Sequence, residues 1–255
     1  MAFTDLQNFS SPPARIAEAP FGNILEAFPP SQIDPHSRLG YSFRIEPCNS
    51  ITGYSPDVCV DPSATRMTPD EFGAEKDAEL RVVQAAFKCS TIGATDQELR
   101  DHAQGPIERN FWRHVDQTLT DMLTAEAEAV SGTYSAGCVL AKAAQYLATH
   151  SFAGTGVIYG STSFISELGV GMYLMKDGNV YRDMVGNLVI PSSVDSTKVF
   201  AFDSMVEIRA SDIELQDEYM PGLGRVNDRV VRAEMLYTIA VDNCACAKFT
   251  LAACT

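Results

Sequence analysis

The sequence predicts an α+β fold on three observations: one amphipathic helix of about thirty residues near mid-chain, short strands alternating apolar and polar on both sides of it, and no internal repeat. The helix is the run that follows Thr95, TDQELRDHAQGPIERNFWRHVDQTLTDMLTAEAEAV. Thr95 and Glu98 have the spacing of a capping box, in which each side chain satisfies a backbone N–H at the helix start. Leu99, Ala103, Ile107, Phe111, Val115, Leu119 and Leu123 then recur in steps of four, and Trp112 and Met122 widen the stripe. Gly105-Pro106 inside the run predicts a kink or a division. At 1.5 Å per residue the segment reaches roughly 45 Å, a spine on which other pieces hang.

Before the spine, residues 1 to 40 hold prolines at 12, 13, 20, 29, 30 and 35, which remove donors and fix φ. That predicts an extended arm. Its Phe3, Ile16, Phe21, Ile24, Leu25 and Phe28 want an apolar partner, either the chain's own domain or a neighbour. YSFRIEP (41 to 47) and LRVVQAAFKCSTI (80 to 92) alternate as half-buried strands. The polar, Pro- and Gly-rich stretch between them predicts an extended hairpin leaving the body of the domain.

After the spine, SAGCVLAKAAQYLATHSF predicts a second helix, with Val139, Ala143, Tyr146 and Leu147 on one side and Gly154 just past its end. GVIYG reads as a buried strand, STSFISELG as a helical turn, YLMKDGNVYR as a hairpin around Asp-Gly, and NLVIP as a strand stopped by its proline. From Thr197 onward the pattern is strands throughout. The last of them, VVRAEMLYTIAVDNCACAKFTLA, is continuously apolar in the manner of a central strand.

A chain of 255 residues builds a sizeable core without staples. With 19 Lys and Arg against 33 Asp and Glu, the net charge of -14 argues against readout of a nucleic acid as the main task, since no basic cluster offsets it. The start lacks a cationic segment followed by an apolar one, and no window reaches the ~18 apolar residues of a membrane span, so a soluble, cytosolic setting is expected. Seven cysteines, without a CxxC pair, do not form a disulfide framework. Cys244 and Cys246 share one face of a strand, but nothing supplies the remaining ligands of a metal site.

No catalytic motif has the right spacing. GTGVIYG misses the dinucleotide pattern, and its Gly154, Gly156 and Gly160 read as turn punctuation. His36, His102, His114 and His150 are scattered, with His114 on a solvated helix face. The carboxylates lie where a solvated surface puts them. The expectation is therefore a protein that is not an enzyme, with no catalytic, cofactor-binding or metal residues.

Five stretches in order carry a resemblance: FKCSTIGATDQELRDHAQGPIERNFWRHVDQTL, HSFAGTGVIYGSTSFISEL, YLMKDGNVYRDMVGNLVIPSS, KVFAFDSMVEIRASDIELQDE and RVNDRVVRAEMLYTIAVDNCACAKF. Together, over roughly residues 80 to 250, they resemble the major capsid proteins of tailed bacteriophages, the Hong Kong 97-type fold that encapsulins share. The resemblance implies an N-terminal arm (1–40), an extended loop (41–94), a peripheral domain with the spine helix (95–130 and 197–241) and an axial domain (131–196 and 242–255). It implies a structural protein that self-assembles as hexamers and pentamers into an icosahedral head around a DNA genome.

The same resemblance implies possible portal, scaffold and cement partners, DNA met only nonspecifically, no membrane partner, and residence in a virion assembled in the host cytoplasm. An encapsulin-like compartment is the alternative, and an enzyme with an unrecognised pocket a more distant one. Some members of that family weld subunits by a Lys to Asn isopeptide bond, which would draw on Lys76 and Asn243 here; a merely solvated Lys76 is the competing reading.

Overall fold

The structure, a computed structural model, describes residues 21–33, 40–44, 75–90, 95–150, 156–193, 197–202, 205–219, 228–242 and 245–252. The first described part holds α1 (Ile24–Ala27), β1 (Ser31–Gln32), β2 (Tyr41–Arg44), β3 (Glu75–Ala78) and β4 (Arg81–Ser90). The spine α2 (Asp96–Glu126) leads to β5 (Glu128–Tyr134), α3 (Ala136–His150), β6 (Val157–Ser161), α4 (Thr162–Val170), β7 (Met175–Asp177), β8 (Val180–Arg182) and β9 (Leu188–Ser192). The chain closes with β10 (Lys198–Phe202), β11 (Met205–Ala210), β12 (Glu214–Tyr219), β13 (Asp228–Asp242) and β14 (Cys246–Leu251).

Two sheets flank the spine. In a five-stranded sheet β13 is the hub, paired with β11, β12 and β4, with β1 parallel to β11 outside. Arg232 sits between Gln216 of β12 and Ala86 of β4, so those two strands lie on opposite sides of β13. The other sheet has seven strands in the order β5-β14-β10-β6-β9-β8-β7.

The capping box forms as expected: Glu98 N donates to Thr95 Oγ1 at 3.3 Å and Thr95 N to Glu98 Oε2 at 2.8 Å. The whole stripe from Leu99 to Leu123 is buried, packing with Val231, Tyr237 and Ile239 of β13 and with Tyr159 and Phe202 of the seven-stranded sheet. On the far face of that second sheet, α3 and α4 cover Ile158, Val189, Val199 and Phe249. Neighbouring residues of β6 and β10 thus face two different cores. That is why VIY and VFAF are unbroken apolar runs and not alternating ones.

Several expectations change. Gly105-Pro106 does not divide the spine, since α2 is a single helix through Pro106. The missing proline donor costs about 3 kcal/mol, which seven buried apolar residues of the stripe outweigh, and the Asn110 amide donates to the Pro106 carbonyl at 2.9 Å. The return strand for β2 is the short β3, while β4 pairs with β13. Residues 45 to 47 of the first strand lie outside the described residues.

β9 runs through Pro191 to Ser192 instead of stopping there. STSFISELG supplies an N-cap, Ser161, and eight residues of the nine-residue helix α4, not one turn. Lys198–Phe202, grouped from sequence with the strands that follow, pairs with β6 and β14 in the seven-stranded sheet. The final apolar run serves two sheets, β13 in one and β14 in the other.

The arm residues within the described set fold onto their own chain. Ile24 is wholly buried in the main core, and Phe21 stacks edge-on against Tyr181 with ring centroids 5.0 Å apart.

Candidate assembly surface

Large apolar side chains in water mark a contact surface when they cluster. Of the seven exposed ones among the described residues, six lie between 170 and 185: Val170, Met172, Tyr173, Met175, Met184 and Val185. Local structure holds them there. α4 ends at Val170, and the following turn is fixed by Gly171 N and Tyr173 N, which donate to the carbonyls of Glu167 and Leu168 at 3.1 Å each.

The second group stands on a turn organised by a buried carboxylate. Asp183 Oδ1 accepts from the N–H groups of Val185, Gly186 and Asn187 at 2.8 to 2.9 Å, and Oδ2 from the Asn187 amide at 2.8 Å. Asn187 Oδ1 in turn accepts from Gly156 N at 3.1 Å, tying the turn to the start of β6. Gly186 takes φ +103, which a side chain would strain. Met184 and Val185, 72% and 73% exposed, are therefore presented on a stiff support. Beside them an open groove of about 590 Å³ is lined by Phe21, Ile165, Leu174, Lys176, Tyr181 and Pro191.

A buried polar joint connects this half to the spine. Asp116 is 0% exposed. Its Oδ1 accepts from the Tyr159 hydroxyl, and its Oδ2 accepts from Ser193 N at 2.7 Å, Ser193 Oγ at 2.6 Å and Ser192 Oγ at 3.1 Å. Burial first, then the Asp116 charge and hydrogen bond, push the Tyr159 phenol well above its ordinary value, so it remains a protonated donor. On the other side of the helix, Thr118 Oγ1 meets the Tyr237 hydroxyl at 2.9 Å. One helical turn thus pins both sheets.

Sequence reasoning misses Asp116, because it assigns the carboxylates to solvated surface. The available signal is its place four residues after Trp112 and four before Thr120, on the flank of the apolar stripe.

The hairpin root is clamped from two sides. Tyr41 OH donates to Glu207 Oε2 at 3.0 Å, Arg209 Nε donates to Glu207 Oε1 at 2.8 Å, and the Arg209 guanidinium lies 4.0 Å from the Tyr41 ring centre. Burial, followed by the bond to Glu207, raises the Tyr41 phenol to about 12. The Arg209 hydrogen bond, ahead of the Tyr41 one, holds Glu207 below the usual carboxylate range. From the other strand, Lys76 Nζ reaches Glu126 Oε2 at 2.9 Å. Glu126 closes α2, where the helix dipole disfavours an acid, and Lys76 offsets that charge. Asn243, its proposed crosslinking mate, lies outside the described residues.

At the other end of the spine, the nearly buried Arg229 meets Asp96 and, at 2.6 Å, Asp217, which also lies 3.4 Å from Arg100.

The remaining sequence candidates disperse. His102 stacks on Phe87 at 4.7 Å, His150 on Tyr146 at 4.4 Å, His114 is exposed on α2, and His36 lies outside the described residues. Cys138 is exposed and Cys246 half-buried, while Cys244 lies outside the described residues. Gly156 and Gly160 are packing glycines: an added Cβ would come within 2.5 Å of Leu147 and 2.7 Å of Phe164. Gly154 lies outside the described residues. Among the described residues, no group of three or more His, Cys, Asp and Glu is placed to hold a metal ion, and no helix is long and apolar enough to cross a membrane.

This architecture, a long spine helix between a hub-stranded sheet and a two-faced sheet, is similar to solved phage and virus-like-particle structures. A chain from Microbacterium phage Oxtober96 superposes with TM-score 0.58 at 13% identity, over 99% of this chain and 96% of that one. The capsid structure of the cyanophage P-SCSP1u gives 0.55 at 11% identity over 97% and 93%. A virus-like particle from Pyrococcus furiosus gives 0.56 at 13% over 89% and 91%. The chain therefore has the phage major-capsid fold that its sequence resembles. No protein-family model matches the chain, and no curated protein matches it in sequence.

Proposed function

We propose that this chain is a structural shell subunit, which assembles with its copies as hexamers and pentamers into the icosahedral head of a tailed bacteriophage and encloses its DNA. The observation that carries the reading is the concentration of exposed apolar side chains between 170 and 185 on a fold shared with viral capsids. Burying one large apolar side chain contributes roughly 1.5–3 kcal/mol, so six contribute on the order of 10 kcal/mol. Association costs about 4–15 kcal/mol. A single such contact is marginal, and only a closed ring or shell, in which every copy gives and receives it, makes assembly firm.

On this reading 1–40 form the arm and 41–94 the extended loop, which lend β1 and β4 to the five-stranded sheet; that sheet's other strands and the spine form a peripheral domain, and the seven-stranded sheet with α3 and α4 an axial domain whose exposed end meets its copies around the symmetry axis. The role is structural and not catalytic, and the protein resides in the virion after assembly in the host cytoplasm. Packaged DNA is met without sequence readout, in keeping with the net charge of -14. Portal, scaffold and cement proteins would be the further partners.

A second reading, an encapsulin-like compartment, is favoured by the Pyrococcus particle, whose TM-score of 0.56 is comparable to those of the phage chains. Electron microscopy of the purified protein tests the shared claim, with closed particles expected. Nuclease-protected nucleic acid inside them supports the phage head, while a single enclosed protein species supports the compartment.

A further inference from the structure

We propose that the five-stranded sheets of neighbouring copies join edge to edge, β12 of one copy lying along the outer edge of β4 in the next. The inference rests on the shell reading and names the strand that one copy offers another. β4 spans ten residues and β12 six, and among the described residues no strand pairs with the outer edge of either. Such edges template pairing with another chain unless something blocks them. Proline, one such block, is absent from both RVVQAAFKCS and ELQDEY.

Charge selects the mate. β4 carries Arg81 and Lys88 and no acid, and a groove of about 430 Å³ between β4 and α2, to which β13 contributes nothing, adds Arg113. β12 carries Glu214, Asp217 and Glu218 and no base. Asp217 also meets Arg229 and Arg100 of its own chain, so the complementarity belongs to the two edges and not to one pair. Pairing β4 with β4, or β12 with β12, sets like charges opposite each other. Pairing β4 with β12 does not. The contact is therefore heterologous, each copy donating one edge and receiving at the other, which is the geometry that propagates around a ring.

The test uses full-length particles with two introduced cysteines, Gln216→Cys together with Val82→Cys, Gln84→Cys or Ala86→Cys, oxidised and run on a non-reducing gel beside the unaltered chain. Within one chain β13 separates the two positions by roughly 9–10 Å, beyond the ~7 Å a disulfide spans. At least one of the three pairs is expected to give a ladder extending past the dimer, above the background of the native cysteines. A dimer alone points to two-fold pairing and overturns the head-to-tail contact, and particles without added bands in all three variants overturn the edge pairing while leaving the shell reading intact.

Failure to form particles, with only monomers by light scattering and no ladder, counts against both. As a register-independent check, Lys88→Glu should raise the protein concentration needed for assembly by about threefold per contact. Adding Glu214→Lys should restore it, and absence of that rescue contradicts the charge assignment.

Discussion

The two halves on either side of the spine carry opposite kinds of surface. The described seven-stranded half, with α3 and α4, has Lys142, Lys176, Arg182, Lys198 and Lys248 against Glu128, Glu167, Asp177 and Asp183, so it is close to neutral, and it shows its apolar side chains at one end. The spine alone carries seven acids against Arg100, Arg109 and Arg113, and its five-stranded sheet shows charged edges and, among the described residues, one large exposed apolar residue, Val82. An uncharged apolar end suits a convergent contact from which water is excluded. Charged edges suit contacts that are selective and individually weak. On the proposed shell reading one subunit separates the contact that supplies energy from the contact that supplies register, and Asp116 joins the two halves.

Breaking that relation should have the largest effect. Asp116→Ala leaves the Ser192 and Ser193 donors without their carboxylate acceptor and the Tyr159 hydroxyl with only the Asp116 carbonyl and Thr120, and a loss of about 3 kcal/mol is expected in urea unfolding. A loss under 1 kcal/mol would mean that the joint holds nothing together. Next comes the apolar end by itself. Met184→Asp with Val185→Asp removes about 3 kcal/mol from each contact, so particles should vanish at concentrations where the parent assembles. The melting temperature of the unassembled chain should stay within a degree or two, because both side chains already face water.

The hairpin root sharpens the comparison on the other half. Tyr41→Phe should cost about 1 kcal/mol and change the alkaline limb of stability. The folded-state value of Tyr41, about 12, lies above the ordinary value near 10. Its contribution is therefore complete below pH 10 and is lost as pH rises toward 12, and the variant should lack that loss. Glu207, held low, contributes above the usual carboxylate range and loses that contribution as pH falls through its folded value.

Smallest is Lys76→Ala. It removes an exposed pair worth about 0.5 kcal/mol and should leave particle formation unchanged. A boiled reducing gel of particles that shows monomer bands only excludes the Lys76 to Asn243 bond.

Much of the fold follows from local rules that neighbouring residues spell out. The capping box at Thr95, the four-residue steps from Leu99 to Leu123 and the period of β11 are written in adjacent residues, and all three form. Pairing choices are harder to read because they are settled at a distance. LRVVQAAFKCSTI has the pattern of a hairpin strand, yet β13 offers it a ten-residue ladder that β2 cannot match. KVFAF reads as one with its sequence neighbours, but residues that face two cores need a helix layer on each side, and only the seven-stranded sheet has both.

The candidate surface is legible only as a segment. YLMKDGNVYRDMVGNLVIPSS is marked by its turns, whereas the exposure of Met184 and Val185 depends on Asp183 collecting three backbone donors, a geometry no spacing encodes. Asp116 hides for a related reason: a lone acid on a long helix is usually solvated, and its partners at 159, 192 and 193 meet it only after both sheets have formed.

Particle mass in solution tests the central claim most directly. Light scattering on the purified full-length chain should give a discrete species containing many copies of the 27.7 kDa subunit, with closed shells in the microscope. A stable, monodisperse monomer at concentrations far above those of assembling subunits, with the apolar end at 170 to 185 still open to water, contradicts it.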